Sequence, residues 1–266
     1  MVRRILASVA AATATLALAT ACDTGAGSGT AAGPAPVPSS SATVPTTSAA
    51  PSVPATPTAS ESAPAPEITT KLRRGDKGAE VVALQKRLTE LGYWNGKADG
   101  TFGGTTQQAV FALQKAAGMG RDGVVGPKTR KALERGVRPT ARSTIGHVVE
   151  IDKKRQLLMV VQDGRVTGIL NTSTGSNQNY EYKDHTYLAH TPSGKFQVYR
   201  QIDGWRHGPL GPLWRPKYFN GGIAVHGAYS IPPYPASHGC ARVSIPAMDW
   251  LWSSNQLPPR TKVWVY

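Results

Sequence analysis

From Asp23 to Pro66 the chain is built almost wholly of alanine, serine, threonine, glycine and nine prolines, with no aromatic residue. That stretch limits the fold more than any other feature. Forty-four residues without large apolar side chains cannot bury enough surface to offset the entropy of ordering them. A folded unit must therefore come from the residues that follow. The stretch reads as a tether. At ~3.1 Å per residue its upper bound is roughly 135 Å, and its mean span is much shorter. A passive spacer, glycosylated or bare, is the plainer reading and differs little in consequence.

The residues before the tether read as an export signal spanning 1–21. Arg3 and Arg4 precede an apolar run from Ile5 to Ala19, too short for a comfortable membrane span. The run ends in Ala19-Thr20-Ala21-Cys22. Small residues before a cysteine resemble a bacterial lipoprotein signal, cleaved before Cys22 with the cysteine then lipidated. Alanine stands where leucine is usual, three residues before the cysteine. Ordinary cleavage and secretion, with Cys22 incidental, is the alternative. Lipidation would anchor the chain to the membrane without a transmembrane helix. Residues 22–70 are then a lipidated cysteine and its linker, and the protein is expected outside the cytoplasm, facing the cell wall.

Only two cysteines are present, Cys22 and Cys240. With Cys22 carrying lipid, no disulfide can form within the mature chain, although an extracytoplasmic compartment permits disulfides. Charge divides unevenly. Residues 1–70 hold two basic and three acidic residues; the remainder holds 28 and 13, near +15. Such a balance favours polyanionic partners. Export removes nucleic acid from consideration and leaves anionic wall polymers and lipid headgroups.

Residues 71–136 read as a separate helical domain. Val81, Leu84, Leu88 and Leu91 mark one face of a helix starting near Ala79. Val110, Leu113 and Ala117, with Phe111 beside them, mark a second helix that Thr105 or Thr106 would cap. A third runs from Pro127 to about Arg135. Between them lies an internal echo. Asp99-Gly100 and Asp122-Gly123 are 23 residues apart, and each is followed, seven residues after its aspartate, by a threonine, Thr106 or Thr129. An Asp-Gly turn feeding a helix accounts for this. The stretches Leu72 to Tyr93 and Asp99 to Gln114 also resemble the peptidoglycan-binding domain 1 family. That resemblance implies a small three-helix bundle-like wall-binding module. Tyr93, Trp94 and Asp99 are candidates for glycan contact, with core or turn roles as the plain alternative.

A short basic linker, 137–144, leads to residues 145–266. Period-two patterns cover Val148 to Asp152, Val166 to Leu170, Lys195 to Tyr199, Ile223 to His226 and Thr261 to Tyr266. Leu157 to Val161 is a continuous apolar run, and Asp163-Gly164 makes a tight turn. Only Met248 to Ser254, after Pro246, looks helical. The domain is expected to be β-dominated. Gly204 to Asn220 shows no strand pattern and holds Trp205, Trp214, Tyr218 and Phe219. It is either a lid over a site or a cover on the sheet.

The chemistry concentrates in His226-Gly227 and Ser237-His238-Gly239-Cys240-Ala241-Arg242. A reactive cysteine needs a nearby base or positive charge. His226 and His238 compete as that base. His238 lies two residues from Cys240, so on an extended backbone both side chains share a direction. Arg242 offers a planar bidentate donor for a carboxylate or a clamp on loop carbonyls. Gly239 and Cys240 N–H groups are candidates for an oxyanion hole, and Ser237 for a hydrogen bond or a turn. Two histidines and a cysteine can in principle ligate zinc, but no spacing here argues for a metal.

These motifs, with Thr191-Pro192-Ser193-Gly194-Lys195-Phe196 and Ser173-Thr174-Gly175, resemble the L,D-transpeptidase (YkuD-like) family. The resemblance implies a β-sandwich-like catalytic domain that needs neither cofactor nor metal. It casts Cys240 as nucleophile, His226 as base and His238 as loop support. Stem peptides and glycan of peptidoglycan are the implied substrates, with Arg242 as an implied substrate contact; Gly227, Tyr229, Trp214 and Trp205 are further candidates for substrate contact. A 3→3 transpeptidase, an L,D-carboxypeptidase and a non-catalytic wall-binding protein all remain open, with the intact Cys240/His226/Arg242 set against the last. A monomer is favoured. Substituting Cys22→Ser should abolish metabolic lipid labelling and move the protein to the soluble fraction. Wild-type protein that carries no label would establish simple secretion instead.

Overall fold

The computed structural model describes residues 68–266. The expected export signal, the lipidation position Cys22 and the tether up to residue 67 lie outside the described residues. Three helices come first: α1 (Ala79–Glu90), α2 (Gly104–Ala116) and α3 (Pro127–Glu134). α1 buries Val81, Leu84 and Leu88, the stripe its periodicity predicts. α3 starts on Pro127, whose missing N–H costs nothing in a first turn.

α2 corrects the expected cap. It begins at Gly104, and no side chain caps it. Thr106 is buried, and its hydroxyl accepts from Gln85 Nε2 at 3.1 Å. The same amide donates to Asp99 Oδ1 at 2.9 Å, while Gln85 Oε1 accepts from Gly100 N at 2.9 Å. Gln114 repeats the arrangement. Its Nε2 reaches Asp122 Oδ1 at 2.6 Å and Thr129 Oγ1 at 3.3 Å, and its Oε1 accepts from Gly123 N at 3.0 Å. The internal echo is thus a buried glutamine closing an Asp-Gly turn, made twice. Each satisfied amide fixes a turn that would otherwise bury unpaired polar groups.

The rest is β-dominated, as expected. In chain order the strands are β1 (His147–Asp152), β2 (Leu157–Gln162), β3 (Arg165–Asn171), β4 (Asn179–Tyr182), β5 (His185–Leu188), β6 (Gly194–Gln197), β7 (Arg200–Gln201), β8 (Trp205–Gly208), β9 (Gly211–Asn220), β10 (Ile223–Ala228) and β11 (Ala241–Ser244). Helix α4 (Ile245–Ser253) and β12 (Lys262–Val265) follow. One sheet has the order β3-β2-β1-β12-β6; the second has β11-β10-β9-β7, with β8 added on β9. β4 and β5 form a separate hairpin. Val149, Ile151, Leu158 and Val160 of the first sheet meet Phe219, Val225 and Val243 of the second, closed by Met248 and Leu251 of α4.

β2 explains its own unbroken apolar run. Leu158 and Val160 face the second sheet, whereas Leu157, Met159 and Val161 pack with the helical module. A strand covered on both faces has no polar side to alternate with. Backbone bonds join the same surfaces: Trp94 N donates to Ile169 O at 3.0 Å, and Ile169 N to Gly92 O at 2.8 Å. Tyr93 is wholly buried there, with its hydroxyl donating to Val137 O at 2.8 Å. It therefore has no surface to offer glycan, which corrects its expected wall contact. Trp94 is half-buried, its ring 5.9 Å from that of Trp250. Asp99 is exposed but engaged in the Gln85 turn.

Residues 204–220 are a second correction. They form the β8–β9 hairpin, and β9 runs for ten residues. The linker before β1 is pinned by the buried Glu150. Its carboxylate accepts from Arg142 N at 3.0 Å, Ser143 N at 2.7 Å and Tyr266 Oη at 2.8 Å. Because the helical module completes the core of the first sheet, residues 68–266 should melt as one cooperative unit. Calorimetry should give a single transition with equal calorimetric and van't Hoff enthalpies, and two resolved peaks would mean the module folds apart from the sheet.

Candidate active site

β10 and β11 run parallel and adjacent, with His226 opposite Arg242. Side chains two apart along a strand share a face. Cys240, two residues before Arg242, therefore falls on the same face as His226 and Arg242. All three line one cavity of about 380 Å³. Tyr180 of the β4–β5 hairpin, Leu210 and Leu213 of the β8–β9 hairpin, and Tyr229 wall it in.

The Cys240 loop is held from several directions. Ser237 Oγ donates to Cys240 O at 2.6 Å and accepts from Gly239 N at 3.0 Å. Ser237 is thus the closure of the turn. The Gly239 N–H is occupied by that hydroxyl, which removes it from the expected oxyanion pair in this state. Gly239 has φ +141°, and a Cβ there would sit 2.9 Å from His190 O; only glycine fits. Thr191 Oγ1 donates to Gly239 O at 2.6 Å and accepts from Gly175 N at 2.9 Å. The TPSG and STG segments thereby converge on the loop.

His226 is buried. Its Nδ1 lies 2.9 Å from Gly227 O. A carbonyl only accepts, so Nδ1 carries the proton and Nε2 is left as a lone-pair acceptor. Burial pulls the His226 pKa down to about 4, the Gly227 bond opposing and Arg242 adding slightly. The imidazole is therefore neutral at neutral pH. Burial pushes the half-buried Cys240 thiol up, against the Ala224 backbone bond and Arg242. Sγ donates weakly to Gly222 O at 3.8 Å. A neutral thiol beside a neutral base is equipped for proton transfer during attack rather than for a standing thiolate.

His238 is exposed and packs edge-on against Tyr180 at 4.7 Å. Its pKa is lowered by desolvation and by Arg242. Arg242 is half-buried; its backbone pairs with Ser173, and no carboxylate among the described residues forms an ion pair with it. Its guanidinium is available to a ligand carboxylate.

The other expected contacts divide. Tyr229 lines the cavity and stacks on Trp205 at 5.3 Å. Trp205, Trp214 and Gly227 stand behind the wall rather than in it. Trp214 donates its Nε1–H to Asp249 at 2.7 Å and packs so closely that a Cβ at Gly227 would lie 2.9 Å from it. Gly227 therefore makes room for the Trp214 ring and does not reach the cavity. Sequence reasoning missed Tyr180, Leu210, Leu213 and Thr191. Thr191 carried a signal in its TPSG motif; the others carried none. Among the described residues no cluster of three or more His, Cys, Asp or Glu could hold a metal.

Comparisons with known proteins fit this geometry. Residues 146–265 match the L,D-transpeptidase catalytic domain family (YkuD) and residues 77–133 a peptidoglycan binding domain family. A crystal structure of an L,D-transpeptidase from Xylanimonas cellulosilytica is 57% identical, with a TM-score of 0.73, over 76% of this chain and 100% of that one. A match of that breadth includes both the helical module and the sheets. The N-acetylmuramoyl-L-alanine amidase CwlL of Bacillus licheniformis is 52% identical over 66 residues, which are 24% of this chain and 18% of that protein. A spore cortex-lytic enzyme of Halalkalibacterium halodurans is 44% identical over 64 residues, 24% and 19% respectively. The chain spans about a fifth of the length of these curated relatives, and the amidase likeness is confined to the helical module.

The electrostatics give a pH prediction. Cys240 alkylation by iodoacetamide should climb steadily as pH rises past 9, because the raised thiol ionises late. A rate already flat between pH 5 and 8 would reveal a resting thiolate–imidazolium pair, contrary to the buried, neutral His226.

Proposed function

This chain belongs to the L,D-transpeptidase family, and from that footing we propose that it forms 3→3 crosslinks between peptidoglycan stem peptides through a Cys240 acyl-enzyme. The observation that carries the reading is the convergence of Cys240, His226 and Arg242 on one face of β10 and β11 and in one cavity. In the first half-reaction His226 Nε2 takes the thiol proton as Sγ attacks the carbonyl between the third and fourth stem residues. The carbon–nitrogen bond breaks, and the departing D-alanine amine receives that proton. In the second half, the side-chain amine of a neighbouring stem attacks the thioester, gives its proton to His226 and releases Cys240 as thiol. Arg242 would hold a stem carboxylate as a bidentate partner.

The small helical module, proposed as a three-helix wall-binding unit, would keep the enzyme on its polymer. With a lipidated Cys22 and the tether, the site would sit outside the membrane and within reach of the wall; secretion is the alternative. The basic surface would suit anionic wall polymers. The reaction as written needs no cofactor.

Purified disaccharide-tetrapeptide, incubated with the enzyme and followed by mass spectrometry, tests the reading. A 3→3 dimer with release of D-alanine supports it. Free tripeptide alone would make the enzyme an L,D-carboxypeptidase, and unchanged substrate would leave a wall-binding protein. Cys240→Ala should abolish all product. His226→Ala should lower the rate by ~10²–10⁴-fold, and His238→Ala far less. Full activity in His226→Ala would transfer the base role to His238.

A further inference from the structure

The helical module enters the catalytic domain at one point with a charge. Lys115, on the last turn of α2, is 1% exposed. Its Nζ donates to Gln156 O at 2.8 Å, to Thr172 O at 3.0 Å and to Asn171 Oδ1. Burial pulls the Lys115 pKa down to about 6, but its three partners are all oxygens. A neutral amine has two hydrogens and an ammonium three, so the three acceptors hold the proton against burial. Gln108, seven residues earlier and so on the same face of α2, accepts from Asn171 Nδ2 at 2.5 Å and donates to Ile231 O at 3.3 Å.

The residues so gripped are the start of a short rail beside the nucleophile loop. Thr172 Oγ1 donates to Arg242 O at 2.8 Å. Ser173 exchanges both backbone bonds with Arg242, at 3.0 and 3.1 Å, and Thr174 O accepts from Ala236 N and Ser237 N at 3.0 and 2.9 Å. Gln156 Nε2 donates to Thr174 Oγ1 at 2.7 Å, and Gln156 Oε1 accepts from Thr174 N at 2.8 Å. The loop is therefore suspended from residues 172–174 on both sides of Cys240, and Lys115 fixes that rail where it begins.

We infer that Lys115 is a positioning residue through which the wall-binding module sets the geometry of the Cys240 loop. The inference rests on the reading of Cys240 as nucleophile. It implies that the module is part of the catalytic apparatus as well as an attachment to the polymer. Without the ammonium, three inward-facing oxygens lose their shared donor, and buried acceptors without partners drive local rearrangement. The rearrangement would start at Asn171 and Thr172 and pass to Arg242 through bonds already in place.

The test uses full-length protein and acylation of Cys240 by a carbapenem, followed by intact-protein mass spectrometry. Lys115→Met keeps the length and apolar stem but removes the charge. Its maximal acylation rate should fall by about tenfold to a hundredfold, with the half-saturating concentration little changed. Leu84→Ala, in the module core away from the rail, should lower the melting temperature with a much smaller effect on acylation. Thr172→Val should slow acylation alone, and should add little in the Lys115→Met background, because both act on one linkage. If Lys115→Met does not fold, Gln108→Ala carries the same comparison with a smaller expected loss. Wild-type acylation rates in the Lys115 or Gln108 variant, a loss matched by Leu84→Ala, or additive effects with Thr172→Val would overturn the inference. Wild-type protein that fails to acylate at Cys240 would instead overturn the nucleophile assignment beneath it.

Discussion

The structure depends on one sheet being buried on both faces. β2 and β3 must satisfy two cores at once, that of the second sheet and that of the helical module. Each fully buried aliphatic side chain contributes ~1.5–3 kcal/mol relative to exposure, so Leu157, Met159, Val161 and Ile169 commit the module to the sheet. Left uncovered, they would make an apolar surface that a soluble domain rarely keeps. The helical module thus serves the catalytic domain as its third layer. A wall-binding unit that merely tethered an enzyme would have no reason to bury Tyr93 or Lys115.

That double burial also governs what could be read in the sequence. The unbroken Leu157–Val161 run was legible as a strand, but neither that both its faces are covered nor what covers the second was read from it. The alternating strands β1, β3, β10 and β12 were legible because one side of each carries the periodic apolar set. β9 was not. Pro212 and Pro216 lie within it, and Arg215 has φ +47°, so the pattern breaks where a bulge bends the chain. β4 and β5 escaped for another reason: they are exposed or half-exposed throughout, and a hairpin without a buried face has no hydrophobic period to show. Thr106 read as a cap because a threonine before a helix usually is one; its hydroxyl, like that of Thr129 within α3, instead serves a buried glutamine.

The site was more legible than the fold around it, because chemistry restricts residue identity more tightly than packing does. Cys240, His226 and Arg242 line one cavity, the grouping that the family resemblance suggested. The failures were assignments of contact. Trp205 and Trp214 are large and aromatic, the kind of residue that grips substrate, yet they form the back of the wall, where Trp214 fills the space that Gly227 leaves. The true lining, Leu210, Leu213 and Tyr180, depends on how two hairpins fold over the loop. That is a tertiary fact with no local signal.

The proton inventory of the site keeps Cys240 as a thiol at rest. Oxidation, like nucleophilic attack, proceeds through the thiolate. A standing thiolate–imidazolium pair would be reactive at all times. Here burial disfavours both ions, raising Cys240 and lowering His226. In the proposed reaction the proton would pass to His226 as a bound carbonyl accepts the sulfur electrons, so that no thiolate need stand alone in the buried site. Arg242, beside the thiol, favours the thiolate but is outweighed by burial in the resting state. A substrate carboxylate on Arg242 would neutralise that help. The drive for proton transfer must then come from the forming carbon–sulfur bond and the fixed Nε2 lone pair. Under the proposed reaction, reactivity would belong to the complex, while the free protein keeps Cys240 as a thiol.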